Sequence, residues 1–403
     1  MAKSNLYAAH GQWATRPADE RFWTLAEARE TCKAYADTAE EVEVDFGAEV
    51  LLHDDNDLCL TLDGGKGYKT ATMTHWGFSQ LARMAGAPAE YLRKLPAHLA
   101  GQCIDAGLDT HFAGRDAMTC KALVHSNGST VLRSLTSERY SRFWNWEVFD
   151  RLLGLEQGGW RVPPARPAKA GDPRARIATE ADCLTRNSKG GGLSVTPGSM
   201  IAPAGIYASD HDMFAFLVNE EYRIDDGSDG GLARGFFVQN CEVGASALKV
   251  TFFHYRHVCG NHIVWDASNI IEVAVRHIGD VAGRFHIELG GAVDKYLNAS
   301  ASEETARVLR ARQMELGSTK DAVLDSVFKA IAGSRRNGLP SGMNLKQPGS
   351  AYDLAEQHVD TDGSPRTVWG YVNGLTRLSQ ETGYTDDRMF LDRAGAAILA
   401  LAI

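Results

Sequence analysis

Arg133, Arg139 and Arg142 interleave with Tyr140, Phe143, Trp144 and Trp146 in the stretch RSLTSERYSRFWNW. Guanidinium groups pair with phosphates and unstacked bases lie on aromatic rings, so this mixture suits single-stranded nucleic acid. A second stretch, 161–192, carries Arg161, Arg166, Lys169, Arg174, Arg176, Arg186 and Lys189 against Asp172, Glu180 and Asp182. Pro163, Pro164, Pro167 and Pro173 keep its first half extended, and the glycines at 190–192 loosen its end. We expect a flexible basic loop that orders on a polyanion. Its affinity would fall as salt rises, because each phosphate contact releases counterions. The expected contacts are Arg133, Arg139, Tyr140 and Arg142 on the body, with Arg166, Arg174, Arg176 and Lys189 on the loop. The opposing reading puts the aromatics in a core and bridges the arginines to nearby acids.

A different chemistry is suggested by His254, His257, Cys259 and His262, and by the acids Glu220, Glu221, Asp225, Asp226 and Asp229. Together they raise a metal-dependent hydrolase or nuclease as the alternative to nucleic-acid binding. Two arguments weigh against it. On a strand His254 and His257 point to opposite faces, and no Glu follows the first His as in the HExxH arrangement. Hydrogen-bonding histidines are the plainer reading, and neither a metal nor a cofactor is expected. GGKGY at 64–68 lacks the Lys-Ser/Thr that completes a phosphate loop. No Ser-His-Asp or Cys-His arrangement stands out, so no catalytic residue is assigned.

The elements that must position these groups centre on a hairpin at about 232–265. Residues 232–240 read as one strand, Gly244-Ala245-Ser246 as a turn, and 248–258 as the returning strand. Both faces of the hairpin are largely apolar, which implies cover on two sides. Arg234, Glu242, His254, Arg256 and His257 are then polar groups in or beside a core and need partners. Arg234 and Arg256 are expected to pair with Glu242 or with loop acids. Upstream, Thr24 with Glu27 forms a capping box before a helix, and 40–63 reads as two strands joined by an acidic tip. Ser126-Asn127-Gly128 marks a further hairpin, and 144–155 is an amphipathic helix. Residues 220–231 read as an acidic, Gly-rich loop, and 273–289 as helix-like. Residues 303–332 form the longest helical pattern, with Gly317 as a break. The expected class is α+β, a mixed but mostly antiparallel sheet around the central hairpin, flanked by helices. The parts are 1–62 (arm, helix and hairpin), 63–160 (mixed), 161–192 (basic loop) and 193–403 (central hairpin and C-terminal helices).

Several phrases resemble one family when taken together: QLARMAGAPAEYLRKLP, SLTSERY, AGIYASDHDMFAF, RGFFVQNCEVG, YRHVCGNHIVW, VRHIGD and TVWGYVNGLTR. They resemble the phage/plasmid-like family of uncharacterised bacterial proteins, from about residue 75 to the end. The most specific parts are RGF-x-x-x-N-x-E-V-G and R-x-V-C-G-N-x-x-V-W, and Cys241 stands where a serine is more usual. The resemblance implies a mobile-element setting and no settled chemistry. With it, the expected function is single-stranded DNA binding, extending to strand annealing, by a cytoplasmic homo-oligomer. A non-catalytic protein that binds host factors is a further alternative. The net charge of −9 excludes a protein that coats nucleic acid with its whole surface, and leaves room for a local basic groove. No run of about 18 apolar residues suggests a membrane span. The seven cysteines are scattered and never form a CxxC pair, which fits a reduced compartment.

Overall fold

A computed structural model of the protein describes residues 18–45, 58–63, 68–112, 119–162, 166–183, 196–203, 205–225, 231–256, 272–299, 301–334, 346–381, 391 and 394–402. The first half of the chain gives Arg21–Phe22 (β1), Leu25–Ala36 (α1), Ala39–Asp45 (β2), Leu60–Asp63 (β3), Tyr68–Met73 (β4), His75–Met84 (α2), Ala89–Leu92 (α3), Ala97–Phe112 (α4), Thr119–Asn127 (β5), Ser129–Ser137 (β6) and Asn145–Leu153 (α5). Short strands Arg166–Pro167 (β7), Arg176–Ile177 (β8), Met200–Ala202 (β9) and Ile206–Ala208 (β10) lead to Met213–Ile224 (β11), Leu232–Asn240 (β12), Leu248–Arg256 (β13) and Glu272–Val275 (β14). Helices follow at Val281–Leu297 (α6), Ala301–Gln313 (α7), Lys320–Ser334 (α8), Gln347–Gln357 (α9), Val359–Asp362 (α10) and Val368–Glu381 (α11). The class is α+β, as the sequence leads one to expect.

The hairpin β12–β13 sits inside a six-stranded antiparallel sheet of order β1-β10-β11-β12-β13-β14. Its register runs from Leu232↔Arg256 to Gln239↔Lys249. Because side chains alternate along a strand, each face meets a different core. Phe236, Val238, Val250 and Phe252 pack with residues of α1, α5 and α6. Ala233 and Phe253 pack with residues of α7, α8, α9 and α11. Fully burying one such phenylalanine contributes about 1.5–3 kcal/mol. Gly235 lies opposite Phe253, and a Cβ there would stand 2.5 Å from the Phe253 ring. The glycine of the RGF phrase is therefore a seat for that ring.

A second sheet of order β2-β5-β6-β4-β3 contains one parallel pair, β4 with β6. The β5–β6 turn has Gly128 at φ 78, the left-handed geometry that a tight hairpin requires. Helices α2, α3 and α4 cover this sheet through Leu81, Leu92, Ile104 and Leu108. Only half of the expected capping box before α1 forms: Thr24 Oγ1 accepts from the Glu27 N–H at 3.1 Å, but Glu27 reaches past Thr24 to accept from the Trp23 N–H at 2.8 Å.

Four expectations change. The two strands within 40–63 do not pair with each other. β2 pairs with β5 and β3 with β4, at opposite ends of the sheet order; the acidic tip lies outside the described residues. Strand β11 runs on through Glu220 and Glu221 to Ile224, with a bulge between Asn219 and Arg223, so the acidic loop is shorter than its composition suggests. The stretch read as helix-like from 273 is strand β14 followed by α6, whose first turn is capped by Asp280 accepting from Gly283 at 2.8 Å. Within 161–192, the described residues 166–183 are not an extended tether. They carry β7 and β8, which flank β9 in a three-stranded sheet. The long helical pattern divides into α7 and α8, and Gly317 stands in the break, where a Cβ would meet Ala322 at 2.7 Å.

Candidate nucleic-acid interface

The tip of the central hairpin, 240–245, is plugged into the second sheet. Its turn needs Gly244, which has φ 78 and approaches Thr136 so closely that a Cβ would stand 3.1 Å from the Thr136 methyl. Three successive tip carbonyls are taken up by side chains from outside the hairpin. Tyr140 Oη donates to the Cys241 carbonyl at 2.9 Å, and Arg142 Nη1 to that of Glu242. Trp76 Nε1 and Gln80 Nε2 both donate to Val243, each at 2.9 Å. The Glu242 carboxylate, 3% exposed, accepts from the Asn145 N–H and lies 2.6 Å from Arg133 Nη1. Asn240 closes the same joint by donating to Phe143 O at 2.8 Å and Asn145 Oδ1 at 2.9 Å.

This geometry relocates the expected contacts. Arg133 is 1% exposed; it pairs with Glu242, donates to Asp210 O and lies over the Tyr35 ring. Arg142 reaches Glu41 at 2.8 Å as well as the Glu242 carbonyl, and its side chain is 3% exposed. Tyr140 spends its hydroxyl on Cys241. These three residues serve the joint between the sheets and are not free to meet a phosphate. On the loop, Arg174 pairs with Glu27, and Arg176 forms a two-pronged bridge to Asp182 at 2.6 and 2.7 Å. That bridge holds the Asp182 carboxyl well below the usual carboxylate range. Arg176 also lies 4.1 Å from the Trp23 ring centroid. The loop's own acids thus neutralise it in part, and Asp172 is buried against Arg21 at 2.8 Å. The side chain of Arg166, and Lys189 entirely, lie outside the described residues.

Arg139 alone of the expected body contacts is exposed and unpaired among the described residues. The fold brings it to a place the sequence does not announce. Tyr140 forms an isolated antiparallel bridge with Ile278, and the Ser141 N–H donates to His277 O at 2.9 Å. Arg276, exposed and likewise unpaired, therefore reaches the same ribbon. Lys121 joins it, with Nζ 3.5 Å from Tyr140 O. Ile278 is 54% exposed beside them. Glu43, the cross-strand neighbour of Lys121, and the exposed Glu138 and Asp280 keep the net charge of this corner small. Arg139 and Arg276 lie far apart in the chain, and only the tertiary bridge reveals that their segments run side by side.

Arg234 pairs with Glu304 at 2.8 Å, rather than with Glu242. His254 Nε2 stands 3.7 Å from the same carboxylate. Among the described residues no three His, Cys, Asp or Glu side chains are grouped to hold a metal ion. Asp226, Asp229, His257, Cys259 and His262 lie outside those residues.

Two buried histidines set a pH limit. Thr38 Oγ1 donates to Tyr35 O at 2.7 Å, so His125 Nδ1, 2.9 Å from that oxygen, must carry the proton. Its Nε2 is then the acceptor facing Arg133 Nη1 at 3.4 Å. Burial, with Arg133 and Arg142 near, lowers the His125 pKa from 6.5 to about 4. Burial likewise lowers that of His277 to about 4. The unfolded chain takes these protons first, so their contribution is intact at pH 7 and is lost as pH falls from about 6.5 towards 4. Each is worth on the order of 3 kcal/mol. Urea unfolding measured between pH 7 and 5 should show stability falling with acid, with a slope approaching two protons. A flat profile would contradict the neutral, buried assignment.

The family comparison bears on the half of the chain that holds the hairpin. Residues 198–389 match the family model described as a domain of unknown function, DUF932. No curated protein and no solved structure matches the chain. The DUF932 match includes Asn240, Glu242 and Gly244, whereas Trp76, Gln80, Arg133, Tyr140 and Arg142 precede it. The buried joint therefore ties the DUF932 segment to the part of the chain before it.

Proposed function

We propose that the protein is a non-catalytic binder of single-stranded nucleic acid, through the corner formed by Arg139, Arg276, Lys121 and Ile278. The observation that carries this reading is that Arg139 and Arg276, both exposed and both unpaired among the described residues, stand on the two segments that the Tyr140–Ile278 bridge joins. Guanidinium groups on either side of an exposed apolar side chain can contact successive phosphates while Ile278 offers apolar surface to the sugar or base between them. Glu138 and Asp280 in the same ribbon keep the affinity modest, and Arg166 and Lys189 are the loop residues that would add to it. No helix among the described residues is long and apolar enough to cross a membrane.

Fluorescence anisotropy of a labelled oligonucleotide with the full chain, over a series of salt concentrations, tests this. Replacing both Arg139 and Arg276 with alanine should reduce the salt slope by about 1.4, at about 0.7 per lost contact on a single strand. Replacing Arg166 and Lys189 should flatten it further. No binding at low salt, or a slope that ignores Arg139 and Arg276, would end the proposal. Strand annealing is the activity to assay next if binding is found.

A further inference from the structure

Helix α6 buries Val281, Phe285, Leu289, Ala292, Val293 and Tyr296, at the three- and four-residue spacing of a single face. At about 100° per residue the opposite face is centred on Ile287, with Arg284, Gly290, Gly291 and Asp294 around it. Ile287 is 73% exposed, more than any other large hydrophobic residue described. A Cβ at Gly290 or Gly291 would meet nothing within 4 Å. Two adjacent glycines inside a helix thus relieve no crowding in this chain, and they weaken the helix relative to alanine. An outward isoleucine beside a flat glycine step is a ridge next to a groove, the geometry by which two helices approach closely.

The charges select the occupant. Arg284 lies about one turn before Ile287 and Asp294 two turns after it. Arg284 uses Nε and Nη2 on the carbonyls of Asp280, Arg276 and Ile278, which leaves Nη1 without a hydrogen-bond partner among the described residues. Asp294 makes no ion pair among the described residues. In an antiparallel pair of α6 helices with the two-fold axis at the level of Leu289, Arg284 faces Asp294 of the partner subunit and Ile287 lies over Gly291 of the partner subunit. The same helix supplies both ridge and groove and both signs of charge, as a two-fold contact requires.

We propose that the protein dimerises through α6, a second copy of this chain being the partner. Ile287 seats on the glycine step at the centre, and Arg284–Asp294 ion pairs close both ends. The inference does not rest on nucleic-acid binding. A single helix pair is a small interface, so the dimer belongs in the micromolar range.

Sedimentation equilibrium of the full chain over a micromolar concentration series tests it. Ile287→Asp should weaken the dimer by about tenfold or more. Gly290→Ala with Gly291→Ala should also weaken it while raising the melting temperature of the monomer. Arg284→Asp and Asp294→Arg should each weaken it, and the two together should restore it to within about threefold. Circular dichroism melts separate lost association from lost folding, since Ile287, Gly290 and Gly291 support nothing inside the chain. A monomer throughout the series, a dimer indifferent to Ile287→Asp, or a double charge swap no tighter than the singles would each overturn the proposal.

Discussion

Replacing Glu242 with alanine should destabilise the protein by about 3–5 kcal/mol. The carboxylate is 3% exposed and its partner Arg133 is 1% exposed, so removing it strands a guanidinium where water cannot follow. It also leaves the Asn145 N–H at the start of α5 without its acceptor. Glu242→Gln keeps the shape but not the charge, and should lose most of the same stability. The reciprocal change, Arg133→Met, strands Glu242 and should be similarly costly. Combining Arg133→Met with Glu242→Leu should recover much of the loss, because the desolvation of both charges is then no longer required. Urea midpoints for the unaltered protein, Arg133→Met, Glu242→Leu and the double variant complete the double-mutant cycle. A loss of under about 1 kcal/mol for Glu242→Ala would mean that the joint admits water, and would refute its description as buried.

Arg234→Ala should be of comparable or greater size. The Arg234 side chain ties the end of α6 to the start of α7. It donates to the carbonyls of Tyr296, Leu297 (2.7 Å) and Ala299 (2.8 Å), and pairs with Glu304 at 2.8 Å. Helix ends leave their last carbonyls without partners, and here one guanidinium serves several of them. Breaking the buried ion pair alone costs about 3–5 kcal/mol, and unsatisfied carbonyls add to that. Arg234→Lys retains the charge but not the planar fork, and should fall between the two. Burial by itself would raise the Glu304 carboxyl, but His254 and Arg234 outweigh it and hold the group below its ordinary value. Being depressed in the folded state, Glu304 contributes stability that is full above the unfolded value and lost as pH falls through the folded one. Hydrogen exchange at 294–298 reads the local effect: Arg234→Ala should speed exchange there well before global unfolding. Unchanged protection would show that the carbonyls find other donors.

The central hairpin was legible because its signals are local. Alternating apolar residues, a Gly-containing turn and β-branched flanks specify β12 and β13 almost to the residue. The Thr24 cap and the β5–β6 turn were legible for the same reason. Pairing of β2 and β3 was misread because adjacent strands most often pair, and nothing local in EVEVDFG says that it pairs with β5 instead. The basic and aromatic cluster was visible, but its role was not. Composition cannot distinguish an arginine that faces water from one that faces a carboxylate supplied a hundred residues later. Arg133 and Glu242 are 109 positions apart, and nothing in the residues around either one points to the other. The loop arginines were overcounted for a simpler reason: Asp182 and Glu27 already hold Arg176 and Arg174.

The plugged tip also imposes an order on biosynthesis. Trp76 precedes the carbonyl it serves on Val243 by 167 positions, and Gln80 by 163. A ribosome adding roughly 5–20 residues per second leaves that socket open for on the order of ten to thirty seconds. Throughout this interval the nascent N-terminal half lacks the tip that accepts from Trp76 and Gln80 and the carboxylate that faces Arg133. Truncated chains stalled before residue 240 should therefore be protease-sensitive around Trp76, and chains stalled well past 260 should be protected there.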